Sequence, residues 1–172
     1  MSVGRTEFTR GYTLEPSTQG DIDYVEANFR EGDRHEAEVA CGGTAERTLL
    51  GEFERCWTAR AGNGDVLGYC GVLPMPNESF MSRTRGVCFM SCGNVDRHRI
   101  AFVANSMPSL RLIAAACPPW VDTFRSWPLE SYAASVRWQT RTMGFRRVGR
   151  TAVGDDAYII LETTRKEIFG WQ

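Results

Sequence analysis

The sequence predicts one α/β domain, and three observations carry that expectation. Apolar residues recur at helical spacing over much of the first fifty positions, the period switches to two at Trp57, and helical and alternating segments then succeed one another to the C-terminus. A chain of 172 residues, 42% of them hydrophobic and 24% charged, can bury one full core and is short for two. The expected domain takes in residues 1–172, with its core over 11–162 and short tails at either end.

The elements follow in order. "YTLEPST" at 12–18 alternates and meets Pro16, which suits a first strand. Ser17 or Thr18 can then cap "QGDIDYVEANFRE", where Ile22, Val25 and Phe29 share one helical face. Gly32 interrupts, Asp33 can cap again, and "RHEAEVAC" reads as a second helix ending at Gly42 and Gly43. Thr44 opens a third, with Leu49, Leu50 and Phe53 on one side. "WTARA", the turn at 62–65 and "VLGYCGVLPM" form a hairpin, and "VCFMSC" at 87–92 is a third short strand of the same sheet. Asn94 or Asp96 can cap the long helix that follows, whose stripe of Ile100, Val103, Ala104, Leu110, Ile113 and Ala114 Pro108 is expected to kink or divide. A strand between Trp120 and Trp127, the helix "SYAASVRWQTRTM" stopped by Gly144, and a hairpin from "FRRVGRTAV" to "AYIILETT" complete the order.

Charge is unevenly distributed. Residues 1–80 hold seven Arg against fourteen acids, a net −7, whereas residues 81–150 hold eleven Arg against three acids, a net +8, within a chain of net charge −1. A basic segment inside a near-neutral chain fits a small phosphorylated ligand better than duplex nucleic acid, which calls for a basic domain overall. The alternative is ordinary variation in solvated surface charge. Six cysteines sit in apolar surroundings without paired metal-ligand spacing, and only His35 and His98 are histidines. They read as small buried hydrophobes in a reducing compartment, with no metal site expected. No apolar run is long enough to span a bilayer and the first residues lack a signal-peptide core, so a soluble, non-secreted chain without a membrane partner is expected.

The element order, the opening "EPSTQGDIDYV" and the closing helix-Gly144-Phe145 resemble the GNAT N-acetyltransferases. "DIDYVEANFREGDRHEAEVACG" and "ASVRWQTRTMGF" look closest to a GNAT-like, internal-virion-protein subgroup of tailed phages. The resemblance implies a mixed, mostly antiparallel central sheet with helices on both faces. It also implies acetyl-coenzyme A as cofactor, its pyrophosphate held at a helix N-terminus by free backbone N–H groups. That place falls at "CGNVDRHRIAF", which makes Cys92, Gly93, Asn94, Arg97 and Arg99 the candidate cofactor residues; Ser135 joins them as the serine of the closing motif. The family's glycine signature would fall at His98 to Phe102, where this chain has none. The tyrosine that protonates a departing thiolate is replaced by Gln139, counted from Ser135, with Trp138 beside it. Ser135 to Gly144 is one residue longer than the usual motif. Glu78 and Glu130 are the carboxylates near enough in sequence to weigh as a base, and each also reads as a solvated surface residue, so no catalytic residue is assigned.

Two readings stand at this point. One is a phage protein that keeps the fold with a degenerate acetyl-coenzyme A site, made in the host cytoplasm and associated with the virion, its partners other virion proteins or a host protein. The other is an active N-acetyltransferase moving an acyl group from acyl-coenzyme A to an amine on a host or phage protein.

Overall fold

The computed structural model describes residues 4–40, 47–75 and 81–170. Eight strands lie in one sheet of order β1-β2-β3-β4-β5-β6-β8-β7. They are β1 (Thr6–Glu7), β2 (Thr13–Pro16), β3 (Arg55–Arg60), β4 (Val66–Leu73), β5 (Thr84–Ser91), β6 (Thr123–Ser126), β7 (Arg146–Val153) and β8 (Asp156–Thr164). Among the described residues six α-helices flank the sheet: α1 (Gln19–Ala27), α2 (Glu31–Ala40), α3 (Asn94–Arg97), α4 (Arg99–Ala116), α5 (Ala133–Arg141) and α6 (Arg165–Gly170). The chain divides into two compact units, residues 1–73 with 88–105, and residues 74–87 with 106–172.

In the first unit β1 to β4 pair antiparallel in sequence order. β4 is apolar and buried along nearly its whole length, as expected of a strand covered on both faces. Helix α1 starts where the sequence places it. Thr18 Oγ1 accepts the Asp21 N–H at 3.2 Å while Asp21 Oδ2 accepts the Thr18 N–H at 3.0 Å, a reciprocal cap. Ile22 and Val25 of α1 are fully buried against Cys56, Val66, Tyr69 and Cys92, with Phe29, Leu50, Phe53 and Met90 packed around them. Burying one such large side chain contributes about 2 kcal/mol. The Phe53 and Tyr69 rings meet edge to face at 5.9 Å.

In the second unit β5 begins parallel to β6, from Thr84↔Thr123 to Gly86↔Arg125. β6 and β8 are antiparallel, and β7 and β8 form the closing hairpin around Gly154. Gly144 has φ +71°, the left-handed C-cap that the sequence predicts. Behind it the Phe145 N–H donates to Gln139 O at 3.1 Å. That bond reaches back six residues, one more than the usual Schellman turn, so the extra residue of this motif is taken up in the last turn of α5.

Several expectations change. Asp33 does not cap; it lies inside α2, where its carboxylate accepts the Ser91 N–H at 3.0 Å and the Ser91 hydroxyl at 2.9 Å. The described part of the third expected helix is only a 3₁₀ turn at Leu50–Glu52. Its start at Thr44 lies outside the described residues, as does Cys41. The long helix is divided at His98, not at Pro108, which α4 carries in its interior. A proline there costs one bond to the Ala104 carbonyl, and Ala104 is exposed, so water can take its place. Strand β1 and helix α6 have no counterpart in the sequence-based expectation.

Candidate anion site

The candidate site of the first unit is a pocket of about 410 Å³ lined by Arg10 and the run Asp96 to Ala101. The run is the junction of α3 and α4. The His98 N–H donates to the Val95 carbonyl at 3.1 Å and closes α3, and the His98 carbonyl accepts the Phe102 N–H at 3.0 Å and opens α4. Helix geometry therefore leaves the N–H groups of Arg99, Ile100 and Ala101 without intrahelical acceptors, at the positive end of an 18-residue helix dipole.

Three arginines line the pocket together with this first turn. Arg97 and Arg99 come from the junction itself. Arg10 comes from the β1–β2 connection and is the one non-glycine among the described residues with a positive φ, +61°. A non-glycine side chain held in the left-handed region costs on the order of 1 kcal/mol and is found where surrounding structure enforces it. Asp96 also lines the pocket, but Arg30 pairs with it at 3.0 Å, which offsets its charge. His98 is turned to the β3–β4 turn, its Nε2 2.9 Å from Asp65 Oδ2. That hydrogen bond, with one from Asn63, holds the Asp65 carboxyl below its ordinary pKa despite an opposing desolvation effect.

The absent glycines have a limited conformational consequence here. His98 has φ −113° and ψ 20°, a backbone any residue adopts, so the junction needs no left-handed position. The Ile100 side chain is 66% exposed, turned largely to solvent and not packed into the loop.

Five of the six candidate residues from the sequence fall into three groups in the first unit. Arg97 and Arg99 line the pocket. Asn94 supports it: its side-chain oxygen accepts from Arg97 at 2.5 Å, and its amide donates to Val66 O at 3.0 Å and Tyr24 Oη at 3.3 Å. Cys92 and Gly93 form the strand-to-helix corner. The Cys92 thiol is fully buried and 3.0 Å from Val66 O, and Gly93 starts α3 with ordinary φ −56°. Burial raises the Cys92 thiol pKa, as it does for Cys70 and Cys88, and pushes Cys56 up to about 11. None of the five described cysteines is in a disulfide, and the raised pKa values of Cys56, Cys70, Cys88 and Cys92 leave those four poor nucleophiles. No group of three potential metal ligands occurs among the described residues, and no helix there is long and apolar enough to cross a membrane.

Ser135 belongs to the second unit, on α5, where its hydroxyl is 3.2 Å from Gln139 Nε2. Gln139 is the buried residue of α5, 2% exposed. Glu130 is tied to Arg147 and Arg150 at 2.9 and 2.8 Å. The Arg150 hydrogen bond, ahead of the opposing desolvation and of Arg147, holds its carboxyl below the usual range. Glu78 lies outside the described residues. Sequence reasoning missed Arg10, because nothing local to "TRGY" shows that the β1–β2 connection returns to the start of α4.

No protein-family model and no curated protein matches the sequence. Solved structures do match, and they show the fold: the chain has the architecture of acetyltransferases, some of them solved with coenzyme A. The aminoglycoside acetyltransferase AAC(6')-Ib, in complex with ribostamycin and coenzyme A, superposes with a TM-score of 0.68 at 18% identity, over 94% of this chain and 97% of that one. A GNAT-family acetyltransferase from Bacillus anthracis gives 0.66 at 11% identity, over 95% and 99%. A spermidine N-acetyltransferase chimera from Vibrio cholerae and hSSAT gives 0.65 at 10% identity, over 92% and 98%. The fold is therefore the GNAT fold, a mixed and mostly antiparallel eight-stranded sheet flanked by helices.

Proposed function

We propose that this chain binds acyl-coenzyme A and transfers the acyl group to an amine, with the pyrophosphate seated on the first turn of α4. The observation that carries this reading is that Arg10, Arg97 and Arg99 line one pocket with that turn. The donor set suits the ligand. Guanidinium groups bind phosphate oxygens in a planar fork, and unpaired helix N–H groups add donors that carry no desolvated charge. Neighbouring structures of the same fold hold coenzyme A or acetyl-coenzyme A, which supports the assignment of ligand class.

Acyl-coenzyme A supplies an activated thioester. The residues of this chain would hold its phosphates through Arg10, Arg97, Arg99 and the α4 amides, with Asn94 fixing Arg97. Gln139 has no proton to give at ordinary pH, so a departing thiolate would take its proton from solvent, which would also accept the one lost by the amine.

Calorimetric titration and thermal unfolding test the reading together. Acetyl-coenzyme A should release heat and raise Tm, and Arg99→Ala or Arg97→Ala should each weaken binding about tenfold, more at low salt than at high. Neither heat nor stabilisation at millimolar acetyl-coenzyme A would remove the reading.

A second reading, a virion-associated or host-interacting protein that keeps the fold without the chemistry, draws on Gln139 in place of a proton donor and on the exposed Trp120 and Phe169. It expects copurification with phage particles in fixed stoichiometry, and mass spectrometry of purified virions that finds none of the chain would end it.

A further inference from the structure

We infer that Asn105 is a positioning residue for the anion site, holding Arg10 at the pocket by clamping the β1–β2 connection to α4. The inference rests on the phosphate-binding part of the reading above. Asn105 is 1% exposed and lies on α4 one turn after Ala101, which lines the pocket with Arg10. Its Nδ2 donates to Ala101 O at 2.7 Å and to Thr9 O at 3.1 Å, and its Oδ1 accepts the Thr9 hydroxyl at 3.0 Å. Thr9 immediately precedes Arg10. One buried amide thus ties the segment that carries Arg10 to the helix whose first turn forms the rest of the pocket.

The clamp answers a conformational problem. Arg10 and Gly11 are successive left-handed residues, with φ +61° and +70°. Glycine takes that region freely, whereas an arginine there relaxes to right-handed or extended backbone unless its surroundings prevent it. Thr9 O accepts the Tyr12 N–H at 3.3 Å, which closes the turn from inside. That bond is long and belongs to a three-residue turn beside a two-residue strand, so local structure alone constrains it weakly. The connection also abuts the β3–β4 turn, where a Cβ on Gly11 would lie 2.9 Å from Gly62 Cα. Asn105 adds the directional bonds that this backbone contact lacks. An amide suits the role, since aspartate would face two carbonyl oxygens with an anion and leucine has no donor. Asparagine is a mediocre helix former, and a leucine at this buried position would serve α4 better. With the clamp gone, Arg10 leaves the pocket while Arg97, Arg99 and the α4 amides stay.

The test is a double-mutant cycle on anion binding. Asn105→Leu, Arg10→Gly and Arg99→Ala, alone and combined, are titrated by calorimetry with coenzyme A and with inorganic pyrophosphate, after thermal unfolding shows each variant folded at the working temperature. Asn105→Leu is expected to weaken binding about fivefold, the loss expected of Arg10→Gly, and to lower its salt dependence equally. Adding Asn105→Leu to Arg10→Gly should cost nothing further, whereas adding it to Arg99→Ala should multiply the two losses. A merely structural role would disturb the α4 turn itself and would still weaken binding when Arg10 is absent. That outcome, or an unchanged affinity for Asn105→Leu, overturns the inference and leaves the reading intact. Pyrophosphate bound without coenzyme A overturns the coenzyme reading, and the cycle on pyrophosphate still decides the inference; wild type that binds neither overturns both. Should Asn105→Leu fail to fold, Thr9→Ala at an exposed position takes its place: binding falls about two- to threefold, and not at all in the Arg10→Gly background, or the inference is wrong.

Discussion

Gly68 of β4 is the position where a single methyl group should do most damage. A Cβ built there would lie 2.2 Å from the Met90 carbonyl oxygen, 3.0 Å from Ser91 Cα and 3.2 Å from the Met90 carbonyl carbon, all of them backbone atoms. Relief therefore needs the end of β5 to move by about 1 Å, because no rotamer change can help. That stretch is anchored: Cys92 N–H donates to Leu67 O at 3.0 Å, Arg30 N–H to Ser91 O at 3.2 Å, and Ser91 N–H to the buried Asp33 carboxylate at 3.0 Å. Overpacking alone costs 1–3 kcal/mol, and weakening two of three such bonds adds roughly 1 kcal/mol each, so Gly68→Ala should destabilise by about 3–5 kcal/mol. Gly71, three residues on, is the control. Its added Cβ would meet the Phe53 ring at 2.2 Å, but that ring is half-buried and can rotate outward. About 1–2 kcal/mol is expected for Gly71→Ala. Urea unfolding at constant m-value measures both. A Gly68→Ala variant within about 1 kcal/mol of wild type, or a Gly71→Ala variant as damaged as Gly68→Ala, would refute the claim that backbone crowding fixes this corner.

Three further outcomes are expected. For Asp21, burial raises the pKa, but the Thr18 N–H and hydroxyl and the Arg60 guanidinium outweigh it and leave the folded value below 3.8. Its contribution is thus complete above the unfolded pKa and lost as pH falls through the folded one; Asp21→Asn should cost about 2 kcal/mol at neutral pH and flatten the acid limb of the stability curve below about pH 4, measured by urea titration at several pH values. Arg10→Gly removes a side chain from the pocket and relieves a left-handed backbone, so acetyl-coenzyme A affinity should fall about fivefold while Tm stays level or rises. Glu130 is an acceptor for two arginines, not a base, so Glu130→Gln should leave the initial rate of acyl transfer to an amine within about twofold of wild type.

What could be read from the sequence was whatever local chemistry decides. The Thr18 cap, the β3–β4 turn, the left-handed Gly144 and the β7–β8 hairpin each depend on residues a few positions apart, and the structure has all four. Helix α6 is equally local: Thr164 and Glu167 cap each other reciprocally, with Thr164 N–H to Glu167 Oε2 at 2.8 Å and Glu167 N–H to Thr164 Oγ1 at 3.2 Å, in the spacing of a capping box. Asp33 departs from expectation for the opposite reason. Its sequence context is that of a cap, and only the approach of Ser91 turns it into a buried acceptor. Strand β1 has two residues, too few to carry a period.

The site divides along the same line. Arg97 and Arg99 could be found because they flank a helix start, whereas Arg10 needs the β1–β2 connection to bring it there. Glycine is required at a phosphate loop for either of two reasons, a left-handed backbone or close approach of ligand to main chain. The α3–α4 junction removes the first, since it turns at His98 with ordinary dihedrals. The second is eased, because Ile100 is turned largely to solvent. The absence of glycines is therefore weak evidence against phosphate binding, and the replacement of a proton donor by Gln139 is a separate matter. A chain can lose the acid that speeds departure of a thiolate and keep every group that holds the nucleotide. With three arginines lining the anion pocket and an amide where an acid would be looked for, the residues of this chain speak more directly for binding an anion than for protonating a sulfur.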